Sequence, residues 1–279
     1  MFVVIPPAKK LLETDDFAVK STSESSGAMK LHFKGTDIET TTPCLINDSR
    51  QLHKLLIKLS QADLIKLMKI SPKLAELNYQ RYRDLFAGKK YCSAFLFQGD
   101  TYQGLRADTF DADDLQLAQS RLRIISGLYG LLRPLDLINP HRLEVITSLP
   151  TDRGKNLYDF WSDKPGNLLI EQMQKAGVSL VVNAASPAYA KTLFADEKKF
   201  EQEGIQIIRP KFCDYNKGTY KVIGLFAKKA RGSIARYIIQ QKIERASDLA
   251  HFNLDGYEFV ASESTVGNPV FHRRNLKAA

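Results

Sequence analysis

The sequence predicts a mixed α/β fold in one large domain. Short apolar runs typical of buried strands alternate with longer segments whose apolar residues recur every three or four positions, as in amphipathic helices. Of the 279 residues, 44% are hydrophobic and 25% are charged, a composition that supports a substantial core. No low-complexity linker or internal repeat divides the sequence, so we expect a single domain over residues 1–279.

The N-terminal segment begins with a strand. Residues 2–5 form a short apolar run that Pro6 and Pro7 end, so Lys9 follows the end of a core strand, a common position for functional side chains in α/β folds. Residues 13–43 are rich in Ser, Thr, Lys and Asp and have little periodicity. We therefore expect a long mobile loop or insertion over this segment.

Helices dominate the next part of the sequence. Leucines at helical spacing and serines at N-cap positions predict three amphipathic helices, over residues 49–59, 60–69 and 71–82. We expect these helices to have a structural role. A second strand is predicted over residues 93–97, and a polar loop bracketed by Gly99 and Gly104 follows it.

Residues 118–142 combine a helical pattern with glycine and proline. Apolar residues recur with the period of one buried helix face at Ala118, Leu122, Ile125, Tyr129 and Leu132. Pro134 removes a backbone donor and fixes φ, so the helix should end near Arg133. Gly127 and Gly130 are positions where the backbone can turn or be approached closely.

Two interpretations of this stretch compete. In the first, the glycines allow close helix packing and the arginines are solvated. In the second, a glycine-containing hairpin between two helices offers backbone N–H groups to a phosphate, and three arginines supply charge around it, Arg123, Arg133 and Arg142. Because two glycines at i and i+3 are a weak pattern, the spacing alone favours the packing interpretation.

The second half of the chain alternates strands and helices. Leu157-Tyr-Asp-Phe-Trp161 concentrates aromatic residues that should anchor the core. Asn183 and Ser186 stand between a strand and a helix N-terminus, where they predict either an anion site or an ordinary helix cap. Strands are predicted, the last of them at a sheet edge, over residues 179–183, 205–208, 220–226 and 268–274.

Positive charge is concentrated in one segment. The net charge is +9, and residues 206–245 carry ten Lys and Arg side chains against two acids. Lys228, Lys229 and Arg231 stand between a predicted strand and a predicted helix, and Arg236 shares a helix face with Lys229. Cations in the first turn of a helix are opposed by its dipole, so this clustering favours an anionic partner. A second basic cluster lies at the C-terminus, with Arg273, Arg274 and Lys277.

Other patterns limit the function. Neither disulfides nor a zinc site are predicted from the three distant cysteines, Cys44, Cys92 and Cys213. The five histidines show no ligand spacing and no G-x-G-x-x-G motif occurs, so we expect neither a metal nor a cofactor. The N-terminus lacks the basic leader of a signal peptide, and no apolar run reaches the length of a membrane span. These features predict a cytoplasmic protein without membrane contact.

Six motifs in collinear order resemble one protein family. They are Pro7-Ala-Lys9, Phe97-Gln-Gly-Asp-Thr-Tyr-Gln-Gly-Leu105, Leu122-Arg-Ile-Ile-Ser-Gly-Leu-Tyr-Gly-Leu-Leu-Arg-Pro-Leu-Asp136, Leu157-Tyr-Asp-Phe-Trp161, Phe226-Ala-Lys-Lys-Ala-Arg-Gly232 and Phe252-Asn-Leu-Asp-Gly-Tyr257. Each motif is modest alone. Together they make the sequence resemble the YaaA peroxide-stress resistance proteins of bacteria.

The resemblance implies a fold peculiar to that family, with a helix-hairpin-helix-like element and a positively charged cleft that binds DNA. It also implies a cytoplasmic protein that lowers free iron and limits oxidative damage under hydrogen peroxide stress. The hairpin carries over to residues 126–130, and the basic cleft carries over to Lys9, Lys228, Lys229 and Arg231.

Two functions remain open from the sequence. The leading hypothesis is a protein without catalytic turnover that binds duplex or branched DNA mainly through phosphates. Its candidate contact residues are Lys9, Arg123, Gly127, Tyr129, Gly130, Arg133, Lys228, Lys229, Arg231 and Arg236. The alternative is an enzyme that acts on a phosphorylated or nucleotide-like small molecule in the same cleft, with Lys9, Asn183, Ser186, Lys228 and Arg231. The sequence assigns no catalytic residue in either case.

Overall fold

The computed structural model describes residues 1–14, 20–21 and 29–274. Its strands are β1 (Phe2–Ile5), β2 (Lys10–Leu11), β3 (Lys20–Ser21), β4 (Met29–Phe33), β5 (Thr36–Glu39), β6 (Tyr91–Cys92), β7 (Phe97–Gln98), β8 (Leu122–Ser126), β9 (Gly130–Leu132), β10 (Leu137–Ile138), β11 (Leu180–Asn183), β12 (Gln206–Ile208), β13 (Lys211–Asn216), β14 (Thr219–Lys221), β15 (Glu258–Phe259) and β16 (Val270–Arg273).

The α-helices are α1 (Ile46–Leu56), α2 (Gln61–Met68), α3 (Pro72–Arg83), α4 (Ser93–Leu96), α5 (Asp100–Leu105), α6 (Ala112–Arg121), α7 (Leu157–Trp161), α8 (Lys164–Lys175), α9 (Pro187–Phe194), α10 (Glu197–Gln202) and α11 (Gly224–Gln240). Short 3₁₀ turns occur at Ala107–Thr109, Ala246–His251, Leu254–Gly256 and Ala261–Glu263. The three helices predicted after residue 48 are confirmed as α1 to α3. None of the described helices combines the length and the apolar character needed to cross a bilayer.

Five strands form the central sheet, in the order β12-β11-β1-β8-β9. The first four are parallel to one another, and β9 runs antiparallel to β8. All four residues of β1 are buried in the middle of this sheet, as expected for a continuous apolar run in a parallel strand. The strands predicted over residues 2–5, 179–183 and 205–208 are therefore confirmed.

Helices cover both faces of the central sheet. Val3 and Ile5 of β1 pack in one hydrophobic cluster with α6 and α11, whereas Phe2 and Val4 pack in a second cluster with α8 and α9. Successive side chains of a strand point to opposite faces, so one strand contributes to both clusters. This layering confirms the mixed α/β class.

A second sheet contains four strands in the order β14-β13-β16-β15. β13 pairs parallel with β16, and the outer two pairs are antiparallel. The strand predicted over residues 268–274 is confirmed as β16, but its predicted position at a sheet edge is wrong, because β16 lies between β13 and β15. Lys277 of the predicted C-terminal basic cluster lies outside the described residues.

A third sheet lies where the sequence predicts an irregular loop. β3, β4 and β5 pair antiparallel in this order. Buried Leu31, Phe33 and Ile38 alternate with exposed residues, so a short period-two pattern was hidden among polar residues. The loop prediction for residues 13–43 is wrong for its described part, and its residues 15–19 and 22–28 lie outside the described residues.

The helix predicted beyond residue 121 is also wrong. α6 ends at Arg121, and the chain continues as β8, a tight turn and β9, which form an antiparallel hairpin. Because all five residues of β8 are buried, its apolar residues do not alternate with exposed ones, and Leu122 and Ile125 also fit the spacing of one helix face. Residues 126–130 thus connect two strands and not two helices.

This turn is held by its own side chain and by close packing. The Ser126 hydroxyl oxygen accepts hydrogen bonds from the backbone N–H groups of Leu128 and Tyr129, at 3.3 and 3.1 Å. Gly130 has a φ of +70°, which favours glycine, and a Cβ on Gly127 would collide with the Leu143 carbonyl. The indole of Trp161 donates to the Gly127 carbonyl at 2.9 Å. The glycines thus allow close packing, as the first interpretation expects, but at a strand hairpin and not along a helix, and its expectation of solvated arginines is wrong for Arg123, which is buried.

Three further predictions of secondary structure are wrong. Residues 93–96 form the short helix α4 and not a strand, and residues 100–105 form α5 and not a polar loop. Likewise, the strand predicted over residues 220–226 ends at Lys221, and α11 begins at Gly224. α5 crosses α11 at two glycines, and this tertiary contact outweighs the loop-like composition of its sequence.

Candidate functional site

Parallel strands of the central sheet end along one edge, and the residues that follow them lie near one another. β1 leads to Lys9, β11 ends at Asn183 and β12 leads to Arg209. The Ala184 N–H donates to the Val4 carbonyl, which holds the end of β11 beside the end of β1. The carboxyl ends of parallel strands are the usual ligand-binding edge of α/β proteins.

A cleft of about 500 Å³ opens at this edge beside β11 and β12. Polar and charged side chains line it together with apolar residues of α9, and we call it the Asn183–Arg231 cleft. Its polar lining consists of Asn183, Lys191, Glu197, Arg209 and Arg231. The structure therefore brings together two residues of the predicted small-molecule site, Asn183 and Arg231.

Positive charge exceeds negative charge in this cleft. The Arg209 guanidinium pairs with the Glu197 carboxylate at 2.5 Å, and Lys191 Nζ lies 4.9 Å from the centre of the Tyr158 ring. Arg231 is half-buried, burial lowers its pKa, and it pairs with no carboxylate among the described residues. A desolvated cation without a counter-charge is unfavourable, so the cleft favours an anion.

The loop after β11 has the geometry of a helix start. The Asn183 side-chain oxygen accepts a hydrogen bond from the Ala185 N–H at 3.0 Å. Ser186 is the N-cap of α9 and is extended, but its hydroxyl forms no capping hydrogen bond, and Pro187 follows it. Ser186 thus has the extended backbone of an N-cap residue, but the predicted cap is wrong for its side chain, because the hydroxyl accepts no hydrogen bond from the first turn of α9.

Lys9 lines a smaller cavity between the ends of β1 and β8. Lys9 Nζ lies 2.9 Å from Glu144 Oε2, and the Arg142 guanidinium lies 3.2 Å from the other oxygen of Glu144. Tyr189 and His141 line the same cavity; burial raises the pKa of Tyr189 and lowers that of His141 to about 4. His141 is therefore neutral at pH 7, and Glu144 provides the negative charge that holds Lys9.

The cations of α11 divide between two sides of the helix. Lys229 Nζ pairs with Asp255 at 2.9 Å, and the Ser233 hydroxyl also donates to Asp255. Lys228 is exposed and lies three residues from Arg231, so these two share a side. The predicted DNA-binding face with Lys229 and Arg236 instead faces the Leu254–Gly256 turn, because Asp255 supplies its counter-charge.

The candidate residues of the stretch 118–142 lie apart from this cleft. Arg123 is only 4% exposed, donates to the carbonyl groups of residues 119, 120 and 122, and has its pKa lowered by burial to about 10. Tyr129 is fully buried, with Gly127 and Gly130 on either side of it. Arg133 pairs with Asp136 at 3.0 Å and lines a different cavity with Arg123.

Sequence reasoning missed several residues that line the two cavities. Arg209 directly follows a correctly predicted strand, so the rule that selected Lys9 also applied to it. Lys191 and Tyr189 lie in the helix after Asn183, but no motif distinguishes them. Glu144 gave no signal, because its contact with Lys9 joins distant parts of the chain.

No group of three or more His, Cys, Asp or Glu side chains converges as a metal site would require within residues 1–14, 20–21 and 29–274. The fold and the site thus define a mixed α/β protein with a cleft at the carboxyl edge of its parallel sheet, lined by Lys191, Arg209, Arg231 and Glu197 among other residues. Residues 1–263 match a family model described as peroxide stress protein YaaA. The chain belongs to this family.

Three similar proteins carry the name UPF0246 protein. A UPF0246 protein of Aliivibrio fischeri strain MJ11 is 44% identical over 237 residues, which cover 84% of this chain and 90% of the relative. A UPF0246 protein of Aliivibrio fischeri strain ES114 is 43% identical with the same coverage. A UPF0246 protein of Shewanella baltica strain OS195 is 43% identical over 235 residues, covering 83% of this chain and 90% of the relative.

Proposed function

We propose that this member of the peroxide stress family is a cytoplasmic protein that binds DNA through phosphate contacts in the Asn183–Arg231 cleft. The observation that carries the proposal is the half-buried guanidinium of Arg231, which has no carboxylate partner in the described part of the chain. Lys191 and Arg209 line the same cleft, where Glu197 is the one acid. Phosphate oxygens would supply the missing counter-charge.

The contact surface extends from the cleft along α11. Lys228 lies on the same side of the helix as Arg231 and is exposed, and Lys9 stands at the same edge of the sheet. Side chains that reach phosphates carry no sequence information by themselves, so binding should depend on salt and be similar for unrelated sequences. We leave Arg123, Gly127, Tyr129 and Gly130 out of this surface because they are buried.

DNA binding offers a route to protection under peroxide stress. A protein that covers the phosphate backbone excludes from it the metal cations that otherwise condense there. Iron held at DNA is the iron whose reaction with hydrogen peroxide damages bases. We therefore place the limitation of oxidative damage, and any effect on free iron, downstream of phosphate binding.

The test is charge reversal in the cleft. Lys191→Glu and Arg231→Glu should each weaken binding to a labelled duplex several-fold and reduce the slope of log affinity against log salt by about one. The measurement is fluorescence anisotropy between about 50 and about 200 mM salt, with two duplexes of unrelated sequence.

The matched control is Lys73→Glu, the same charge change at an exposed lysine of α3. This variant should bind like the wild-type protein. Equal affinities of the Arg231→Glu and Lys73→Glu variants would overturn the proposal, as would a wild-type protein that does not retain duplex DNA at low salt. Far-UV circular dichroism verifies that each variant is folded.

A second candidate function is supported by the shape of the site. A cleft of about 500 Å³ has the size of a small-ligand pocket, and an amide and two guanidinium groups line it. An enzyme or binding protein for a phosphorylated or nucleotide-like molecule would use Asn183 and Arg231 for the phosphate, whereas the other predicted residues, Lys9, Ser186 and Lys228, are not among the lining residues of this cleft. Material released from the denatured protein should then include a nucleotide, and Asn183→Ala should abolish its retention. Purified protein without released ligand and without thermal stabilisation by ATP would exclude this candidate.

A further inference from the structure

The second sheet exposes aromatic rings on one of its faces. Tyr215 of β13 stands directly opposite Tyr220 of β14, so both project to the same face. His272 of β16 pairs with Cys213, which lies two residues from Tyr215 and therefore on that face as well. The two tyrosines are 38% and 41% exposed. Exposure of two neighbouring aromatic side chains marks an interaction surface.

The rings are arranged as a platform. Tyr220 stacks on His272 with ring centres 3.9 Å apart and planes 13° from parallel. Tyr215 meets Tyr220 edge to face at 5.3 Å, and the guanidinium of Arg274 lies 5.0 Å from the Tyr215 ring centre. Tyr220 contacts both His272 and Tyr215, and Tyr215 contacts both Tyr220 and Arg274, so the two rings are held in place while each remains partly exposed, which lowers the entropic cost of binding. We call these four side chains the tyrosine face.

Charge around the tyrosine face is asymmetric. Four exposed cations lie on or beside β13, β14 and the end of β16, namely Lys211, Lys217, Lys221 and Arg274. Lys221 pairs with Asp214 in the strand register and projects to the other face of the sheet, so it adds charge only at the β14 edge. The carboxylates of this face lie toward its other edge, beside β15, where Glu263 contacts His272 at 3.3 Å and Glu258 stands opposite His272 in the strand register. Within the described part of the chain, no ion pair involves any of the four cations. The β14 edge is therefore the positive one.

Exposed aromatic rings bordered by unpaired cations are the features of surfaces that bind single-stranded nucleic acids. We infer that the tyrosine face binds unpaired bases of single-stranded DNA, which stack on Tyr215 and Tyr220 while the lysines contact the phosphates. An apolar protein partner would not use the four cations, and an intact duplex does not offer its base faces. This inference goes beyond the proposed duplex binding in the Asn183–Arg231 cleft, since it concerns another surface and another form of nucleic acid.

The test measures binding of a labelled oligothymidylate of about 20 nucleotides and of a duplex of equal length by fluorescence anisotropy. Tyr215→Ala and Tyr220→Ala should each weaken oligothymidylate binding about fivefold or more, because each removes a stacking ring. Tyr215→Phe and Tyr220→Phe keep the ring and should retain the affinity. Duplex binding should be unchanged in all four variants.

Tyr79→Ala is the matched control. Tyr79 also carries a guanidinium over its ring, that of Arg83 at 3.4 Å, but lies on α3. It should bind oligothymidylate like the wild-type protein. An oligonucleotide with 5-bromodeoxyuridine should form photocrosslinks to Tyr215 or Tyr220, identified by mass spectrometry.

Three results would overturn the inference. They are a wild-type protein that does not bind oligothymidylate, a Tyr215→Ala and Tyr220→Ala double variant with unchanged affinity, and self-association in sedimentation velocity that Tyr220→Ala removes. The last result would assign the face to a second copy of the chain. Loss of duplex binding in Arg231→Glu alone concerns only the cleft, so failure of one proposal is distinguishable from failure of the other.

Discussion

The crossing of α5 and α11 allows one prediction to be worked out from the structure. Gly232 of α11 faces α5, and a Cβ at this position would lie far inside van der Waals contact with the Thr101 carbonyl and 2.6 Å from the Leu105 nitrogen. Gly104 of α5 faces the Lys229 carbonyl and the Ser233 nitrogen in the same way. Since the obstructing atoms are backbone, no rotamer change relieves the collision.

Gly232→Ala must therefore push the helices apart. Contacts with real Cβ atoms are not shorter than 3.0 Å, so the separation has to grow by more than about 1 Å. A gap of that size forfeits a quarter to a half of each dispersion contact, and overpacking of this kind costs about 3 kcal/mol. Alanine returns about 1 kcal/mol through its higher helix propensity. The net loss of unfolding free energy should be about 2 kcal/mol.

Urea denaturation followed by the fluorescence of Trp161, the single tryptophan, measures this loss. The control is Gly224→Ala at the first residue of the same helix, where no atom lies within 4 Å of the added Cβ. This variant should be as stable as the wild-type protein or more stable. The reasoning is refuted if Gly232→Ala unfolds at the same urea concentration as Gly224→Ala.

Two further predictions concern buried polar groups. His141 has a pKa near 4 against 6.5 in an unfolded chain, so only the unfolded state takes up a proton between these values, and the wild-type protein loses stability as pH falls through this window. The His141→Gln variant has no group that titrates in this window, so it does not lose stability in this way. Its unfolding free energy should be lower than that of the wild-type protein at pH 7, and this difference should shrink by about 2 kcal/mol at pH 5. Urea denaturation at both pH values measures the difference, and a constant difference would contradict the lowered pKa of His141. Ser126→Ala removes the acceptor of two buried N–H groups and should lower the free energy of unfolding by about 2 kcal/mol. Ser120→Ala, at an exposed serine, is the control and should change the urea midpoint of unfolding little. Equal midpoints for the two variants would contradict the role of Ser126 in the turn.

Local patterns predicted those elements whose signal lies within one segment. β1 and β11 are short apolar runs, and the helix starts at Ser60 and Ser71 carry side-chain caps that the structure contains. The helix predicted beyond Arg121 is wrong because a strand that is buried on both faces lacks the alternation of apolar and polar residues that identifies a strand. α5 could not be predicted because it is stabilised by its close contact with α11 at the two glycines, and α11 lies far away in the sequence.

The site divides in the same way. Lys9 and Asn183 stand at the ends of apolar runs in the sequence. Residues at the carboxyl ends of parallel strands meet at one edge of the sheet, so their position alone predicts a site there. The local excess of positive charge predicts Arg231 as a site residue, but it predicts Lys229 equally well. The distinction depends on Asp255, which comes from a turn beyond the helix and neutralises Lys229 only after folding.

The structure changes the reason for expecting an anion at α11. The sequence places the cations of this segment in the first turn of a helix, where the helix dipole opposes them. In the structure α11 begins at Gly224, so Lys228 to Arg231 lie beyond the first turn, where the dipole has little effect. Lys229 also has its counter-charge in Asp255. What remains is Arg231, desolvated beside Lys191 and facing a single carboxylate that Arg209 already occupies. The proposed binding of an external anion thus rests on the burial of one guanidinium, and a charge reversal there should weaken this binding without affecting the start of the helix.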